Sequence, residues 1–279
     1  MKIVVTGANG YIGRHVVNAL IKFGHDITAV DICSKDPESV VKVISLDVLN
    51  SDENLYEKLG KPDAIVHLAW QDGFVHNAFS HIEKLPLHFN FINKMAKSGV
   101  SHFLVMGSMH EVGYFEGAIT ESTPTNPTSL YGIAKNSLRQ ALDVLFKDKD
   151  VCFQWIRAFY IFGDDRSNHS IFTKLLEMEA SGQTLFPFTD GNNKYDFEHI
   201  SILAEQIAAV VSQKEITGII NCCSGQPVKL KDKIEEFLKL NNLKIKLDYG
   251  KYPSRPYDSP IIYGDNTKIQ KIMSAKNVK

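Results

Sequence analysis

Tyr131 and Lys135 are the residues whose types and spacing first point to chemistry. Four positions apart on a helix, two side chains share one face, one turn apart. A free phenol has a pKa of about 10 and is a poor acid at neutral pH. An ammonium beside it is expected to favour the phenolate and lower that pKa, making the hydroxyl a usable general acid or base. Ser108 is a third candidate. It follows the apolar run His-Phe-Leu-Val-Met-Gly at 102–107, so it would stand at the C-terminal edge of a parallel strand, where such sheets gather ligands. A Tyr-x-x-x-Lys pair arises by chance in many chains, and the elements that carry these residues decide its meaning.

Those elements start at the N-terminus. Residues 2–6, Lys-Ile-Val-Val-Thr, form a continuous apolar run of the kind that makes a buried parallel strand. Gly7-Ala-Asn-Gly-Tyr-Ile-Gly13 follows, then helical spacing over 14–23 at Val16, Val17, Leu20 and Ile21, with Gly24 as its C-terminal stop. A strand, a glycine loop and a helix N-terminus together suit the phosphates of a dinucleotide. A second strand, 27–31, ends in Asp31, placed to meet the adenosine ribose hydroxyls. That favours NAD over its 2′-phosphorylated form, although Arg14, Ser34 and Lys35 offer charge and hydroxyls for a phosphate; the alternative for Asp31 is a simple turn residue.

A third strand at 43–46 leads to Asp47 and Val48, a short helix is expected over 53–59, and a fourth strand over 63–69. Helical spacing from 80 to 97 is interrupted by Pro86 and closed by Gly99. After the fifth strand, a polar, proline-containing stretch at 120–128 leads into the helix of Tyr131 and Lys135. Its apolar residues Leu130, Ile133, Ala134, Leu138, Ala141, Leu142 and Leu145 suggest one buried stripe. Strands alternating with helices predict an α/β fold, a Rossmann-type doubly wound parallel sheet.

Composition narrows the function classes. With 279 residues, 44% hydrophobic and 23% charged, the chain can build a large globular domain with a smaller lobe. A net charge of -1 gives no footprint for nucleic acid or an anionic membrane. Cys33, Cys152, Cys222 and Cys223 lack metal-ligand spacing; the adjacent pair fits the end of a buried strand, and reduced thiols are expected. His169, His199 and the pair Asp164-Asp165 give no metal spacing either, so no metal is expected. The apolar strand at the very start leaves no room for a signal peptide, and no apolar run reaches membrane-spanning length. The expectation is a cytoplasmic, globular protein.

Taken in order, Thr6-Gly-Ala-Asn-Gly-Tyr-Ile-Gly13, Asp31, Asp47-Val48, His67-Leu-Ala69, Asn90, Ser108 and Tyr131-x-x-x-Lys135 resemble an extended short-chain dehydrogenase/reductase of the NAD-dependent epimerase/dehydratase group. The resemblance continues through Arg157 to Gly163, Tyr195 to Ile200 and Arg255-Pro-Tyr-Asp258, nearly the whole chain. A Ser-Met-His-Glu-Val-Gly run like that at 108–113 is similar to one in small 4-ketoreductases of dTDP-4-keto-6-deoxy-sugars. The resemblance implies residues 1–160 plus about 192–225 as the dinucleotide-binding part, and about 161–191 plus 226–279 as a small C-terminal lobe for a nucleotide-sugar. It implies that Tyr131 exchanges a proton with the sugar C4 oxygen, that Lys135 also binds the nicotinamide ribose, and that Ser108 hydrogen-bonds the reacting oxygen. Gly7, Asn9, Gly10, Tyr11, Ile12 and Gly13 would line the pyrophosphate of NAD (or NADP), and Asp47 and Val48 the adenine. Leu68, Ala69 and Trp70 would pass beside the linking diphosphate and ribose. Trp70 stands where a small residue is commoner, either as packing or as part of the pocket wall.

Departures from the pattern refine this. Met109 and His110 replace the acidic pair of 4,6-dehydratases, and a thioether cannot protonate a leaving hydroxyl, so 4,6-dehydration is disfavoured. His110 is either a second acid/base for epimerisation or a hydrogen-bonding residue. Tyr160 occupies a place often held by a substrate-binding Asn, and Tyr195 one often held by an Arg; Arg255 is left to grip the diphosphate, the alternative being a surface arginine. Three functions stay open: a 4-ketoreductase, a 4-epimerase that retains its NAD, and a nucleotide sensor without activity. A homodimer through the helices around 89–97 and 130–146 is the family expectation.

Overall fold

In the computed structural model, residues 1–33, 41, 43–51, 54–163, 168, 170–253 and 258–276 are described. Five strands of the first half build the sheet the sequence predicts: β1 (Lys2–Thr6), β2 (Asp26–Asp31), β3 (Val43–Ser45), β4 (Ala64–His67) and β5 (His102–Met106). Two later strands, β7 (Cys152–Ala158) and β11 (Gly218–Cys222), complete it in the order β11-β7-β5-β4-β1-β2-β3, and every pairing is parallel. The order reverses between β1 and β4, which opens the crevice where such sheets bind ligands.

Strand periodicity explains the two helical layers. Ile3, Val5, Leu104 and Met106 point to one face and pack on α1 (Tyr11–Lys22), α6 (Ile200–Val211) and α8 (Thr267–Lys276). Val4, Phe103 and Val105 point to the other and pack on α2 (Leu55–Lys58), α3 (Ser80–Lys97) and α4 (Leu130–Phe146). The expected helix over 53–59 is therefore α2, with Glu53 outside the described residues. The expected break at Pro86 is absent: α3 runs unbroken through it. Pro86 is exposed, so the carbonyl that loses its N–H partner there faces the solvent side. On α4 the buried stripe contains Ala134, Leu138 and Leu142 as expected, but Ile133 and Ala141 are exposed and Lys135 is buried.

A smaller sheet joins β6 (Gly117–Ile119), β14 (Ile261–Gly264), β10 (Lys194–His199) and β12 (Pro227–Lys229), with β8 (Tyr160–Phe162) also paired to β10. Beside it lie α5 (Ile171–Ala180), α7 (Leu230–Leu240) and the paired strands β9 (Leu185–Pro187) and β13 (Lys246–Asp248), where Phe172, Leu175, Phe186, Ile234 and Phe237 form a separate core. Asp196 ties this sheet to the end of β11. Its carboxylate is wholly buried and accepts the N–H groups of Ser224, Gly225 and Gly264 at 3.0, 2.9 and 3.1 Å and the Ser224 hydroxyl at 2.6 Å. Asp196→Ala strands one buried and two half-buried N–H donors and is expected to cost about 3 kcal/mol. Urea unfolding measures it, and a loss under about 1 kcal/mol would contradict this account of the joint.

All four cysteines are free, and Cys222 ends a buried strand as expected. Among the described residues no helix is long and apolar enough to cross a membrane, and no group of His, Cys, Asp or Glu could hold a metal.

Candidate active site

The glycine loop between β1 and α1 is shaped by contacts that no side chain could share. Gly7 has φ +69°, and a Cβ there would meet the Ala69 backbone N at 2.7 Å. A Cβ on Gly13 would fall 2.0 Å from the Gly7 carbonyl oxygen. Leu68 and Ala69 leave β4 directly against this turn, with Ala69 N–H reaching Thr6 Oγ1 at 3.4 Å. Tyr11 donates its hydroxyl to the Gly163 carbonyl at 2.6 Å, and Ile12 packs into the core on the α1 side. Asp31, at the end of β2, accepts the Asn9 N–H at 3.0 Å and the Cys33 N–H at 3.3 Å. The Asn9 side-chain oxygen is buried and accepts no hydrogen bond from the described residues. Asp47 makes a tight turn by accepting from Leu49 N–H and the Asn50 amide, and Val48 is buried beneath it. A backbone cradle at a helix N-terminus with a carboxylate at the neighbouring strand end fits a dinucleotide.

Ser108, Met109 and His110 follow β5. Ser108 caps a single 3-10 turn, accepting the His110 N–H at 3.2 Å on its Oγ, while Glu111 Oε1 accepts the Ser108 N–H at 2.7 Å. Tyr131 lies one residue into α4, whose first turn is capped by Ser129. Ser108 lies close enough to its hydroxyl to pull the phenol pKa down, so these two expected site residues are neighbours. Lys135 is buried one turn on, donating to the Met106 carbonyl at 2.7 Å and standing 3.6 Å over the centre of the Trp70 ring.

One expectation fails here. Lys135 was expected to depress the Tyr131 pKa, yet burial pushes that phenol up to about 12, Glu111 adds to the rise, and only the Ser108 hydrogen bond opposes it. Burial also brings Lys135 down to about 7, against an upward pull from Glu111, and its Nζ lies 5.9 Å from the Tyr131 ring centre. The Lys135 amine is turned toward an indole face and a carbonyl rather than toward the phenol.

Trp70 is both packing and wall. It stacks on His88 at 4.4 Å, donates its indole N–H to His81 Nδ1 at 3.1 Å, and meets Tyr131 edge-on. His76, His81 and His88 were not singled out from the sequence; the seven-residue spacing of His81 and His88, two turns of one helix face, was the available signal. Asn90, by contrast, is exposed on α3. The His76 carbonyl accepts the Tyr131 N–H at 2.8 Å, and its ring stacks on Tyr131 and abuts His110 at 4.4 Å. His110 is pushed down to about 4 by burial and, secondarily, by His76, so it is neutral at physiological pH. Tyr160 lies in β8, stacked on Tyr195 at 4.4 Å, and burial raises its phenol pKa. Met109 is buried with the same aromatic group. Arg255, Ser34, Lys35, Asp164, Asp165 and His169 lie outside the described residues.

Behind the site, His67 Nδ1 pairs with Thr6 Oγ1 and its Nε2 with His88 Nδ1, each at 2.8 Å. Burial, helped by Lys135, lowers His67 to about 3; burial, then His67, Lys135 and Lys84, lowers His88 to about 2. In the unfolded chain both titrate near 6.5, so below that pH the unfolded state binds more protons and stability falls on acidification. Two such groups should remove roughly 2–3 kcal/mol per pH unit well below the unfolded pKa. Urea midpoints measured at about pH 7 and about pH 5 test this; equal midpoints would mean that the folded protein charges these rings.

Comparison with known proteins places this geometry. The model of the NAD dependent epimerase/dehydratase family matches residues 3–223. A dTDP-6-deoxy-L-talose 4-dehydrogenase (NAD(+)) of Aggregatibacter actinomycetemcomitans is 44% identical over 269 residues, covering 95% of this chain and 99% of that protein. A UDP-glucose 4-epimerase of Corynebacterium glutamicum is 25% identical over 84% of this chain and 79% of its own length. Among solved structures, MoeE5 in complex with UDP-glucose and NAD superposes with a TM-score of 0.82 at 21% identity, covering 98% of this chain and 92% of its own. UDP-glucose 4-epimerase from Thermotoga maritima follows at 0.80 and 21%, covering 97% and 91%. Similarity at that level speaks for the fold.

Proposed function

We propose that this chain, which belongs to the NAD-dependent epimerase/dehydratase family, is an NAD-dependent 4-ketoreductase (4-dehydrogenase) of a 4-keto-6-deoxy nucleotide-sugar, dTDP-linked. The observation that carries the reading is the grouping of Ser108, Tyr131 and the buried Lys135 at the C-terminal edge of β5. Identity of 44% to the talose dehydrogenase, spanning both chains, supports the sugar class. The epimerase relatives are more distant, at 23% to 26% identity.

In reduction, a bound nicotinamide dinucleotide supplies the hydride to C4, and in the reverse direction it accepts one. Tyr131 holds its proton throughout the neutral range, so it is the acid that protonates the C4 oxygen as the carbonyl is reduced. Its O–H bond breaks as the new O–H forms on the sugar, and the Ser108 hydroxyl, which orients that oxygen, also stabilises the phenolate left behind. Lys135 would hold the nicotinamide ribose. The glycine loop would take the pyrophosphate and Asp31 the ribose hydroxyls; its carboxylate repels a 2′-phosphate, which favours NAD. A neutral His110 beside His76 is a hydrogen-bonding wall of the sugar pocket rather than a proton donor.

The small sheet, with 161–191 and 226–279, is proposed as the nucleotide-sugar lobe. A homodimer through α3 and α4 accords with exposed Ile82, Ile133 and Val144, and sedimentation velocity tests it. Free thiols accord with a cytoplasmic location. The assay is loss of reduced-nicotinamide absorbance with dTDP-4-keto-6-deoxyglucose, with NADH and NADPH separately. Stoichiometric NADH consumption is expected. An inactive protein that carries NAD through purification would replace this reading with an epimerase.

A further inference from the structure

Glu111 belongs to none of the roles assigned so far, and it is wholly buried against the reacting groups. Its Oε1 accepts two hydrogen bonds, from the Ser108 N–H at 2.7 Å and from the Trp155 indole N–H at 2.8 Å. Its Oε2 lies 3.5 Å from Arg139 Nε on α4 and 3.5 Å from Arg157 NH2 on β7. Arg157 is itself wholly buried and donates to the Thr120 carbonyl at 3.1 Å. The fit is tight: a Cβ at Gly107 would strike both the Trp155 indole nitrogen and Glu111 Oε1. One carboxylate thus joins the end of β5, the Ser108 turn, α4 and β7.

We propose that Glu111 is the positioning residue of the reacting centre: it fixes the backbone that aims Ser108 at Tyr131, and it places one compensated negative charge beneath the Tyr131–Lys135 pair. A buried ion pair of this kind is expensive, and an apolar residue of the same shape would often serve stability as well or better. Its value here is electrostatic. The charge favours the protonated forms of both Tyr131 and Lys135, which is the sign a proton-donating site needs. Facing Glu111 are Arg139, Arg157, Tyr131 and Lys135. His76, His81 and His110 pack against the Tyr131 ring and His67 and His88 lie within the influence of Lys135, and no substitution below touches them.

The inference rests on the reading of Ser108, Tyr131 and Lys135 as the reacting groups, and its test has one arm independent of turnover. Glu111→Gln keeps an acceptor for the Ser108 and Trp155 N–H groups and removes only the charge. Arg139→Gln does the reverse, leaving the carboxylate less compensated. In the full-length protein, nitrogen-15 NMR follows the Lys135 side chain against pH, its resonance identified by loss in Lys135→Met. The wild-type midpoint is expected at about 7. Glu111→Gln should move it down by roughly one pH unit, and Arg139→Gln should move it up. The alkaline limb of the reductase kcat should shift the same way in each variant, with NADH affinity within about twofold of wild type.

A role in packing alone would lower kcat in Glu111→Gln and leave both midpoints unmoved, and that result overturns the proposal. Should Glu111→Gln fail to fold, Arg139→Gln decides, since Arg139 sits at the protein edge of the network with its side chain 12% exposed. An unmoved midpoint there overturns the proposal equally. Wild-type protein without reductase activity but with shifted Lys135 midpoints would refute the proposed reaction and leave the Glu111 assignment standing.

Discussion

Tyr131→Phe is expected to lower kcat by about 10³-fold or more while NADH binds with near wild-type affinity. The substitution deletes one oxygen. That oxygen stands beside Ser108 at the edge of β5, and its proton is bound up to about pH 12 in this environment. Its described neighbours are poorer donors to the C4 oxygen: the His110 ring is neutral at physiological pH, and the Lys135 amine donates to the Met106 carbonyl and stands over the Trp70 face. The phenyl ring keeps the contacts with Trp70 and His76, so the pocket keeps its shape. Steady-state rates with NADH, combined with cofactor titration by fluorescence, separate the two effects. Activity within about tenfold of wild type would remove Tyr131 from the reaction, because an acid contributes at least about 10²-fold.

Gly13→Ala is expected to weaken cofactor binding by about 100-fold or more, close to 3 kcal/mol. The added methyl would lie 2.0 Å from the Gly7 carbonyl and 2.9 Å from the Ala8 backbone, distances no Cβ tolerates, so the first turn of α1 must move off the loop. Moving it separates the backbone N–H groups from one another, and a phosphate cradle depends on their convergence. Gly73→Ala is the control, since a Cβ there meets nothing within 4 Å. Calorimetric titration with NADH compares the three proteins. Unchanged affinity in Gly13→Ala, with the fold intact, would place the dinucleotide elsewhere.

Much of this site was legible along the chain. The glycine loop, Asp31, Ser108 and the Tyr131–Lys135 pair are each local patterns, and the first five strands and the helices among them fell within a few residues of where periodicity placed them. Motif order carries no information about which face of α3 a residue takes: Asn90 is exposed, and the face toward Tyr131 carries His81 and His88. Pro86 misled, since a helix tolerates a proline where the deprived carbonyl is exposed.

What the sequence determined by itself is therefore whatever depends on neighbours within a turn or two: alternating strand faces, helix stripes, a turn only glycine can make, and a tyrosine one turn from a lysine. What the tertiary structure alone decided is the charge state of that site. Trp70 over Lys135, His67 against His88, and Glu111 held by Trp155, Arg139 and Arg157 are contacts between residues 21 to 65 positions apart. Desolvation is a property of everything that surrounds a group, from all elements at once. The spacing of Tyr131 and Lys135 could predict that they meet, and only the packed interior could set which of them holds its proton.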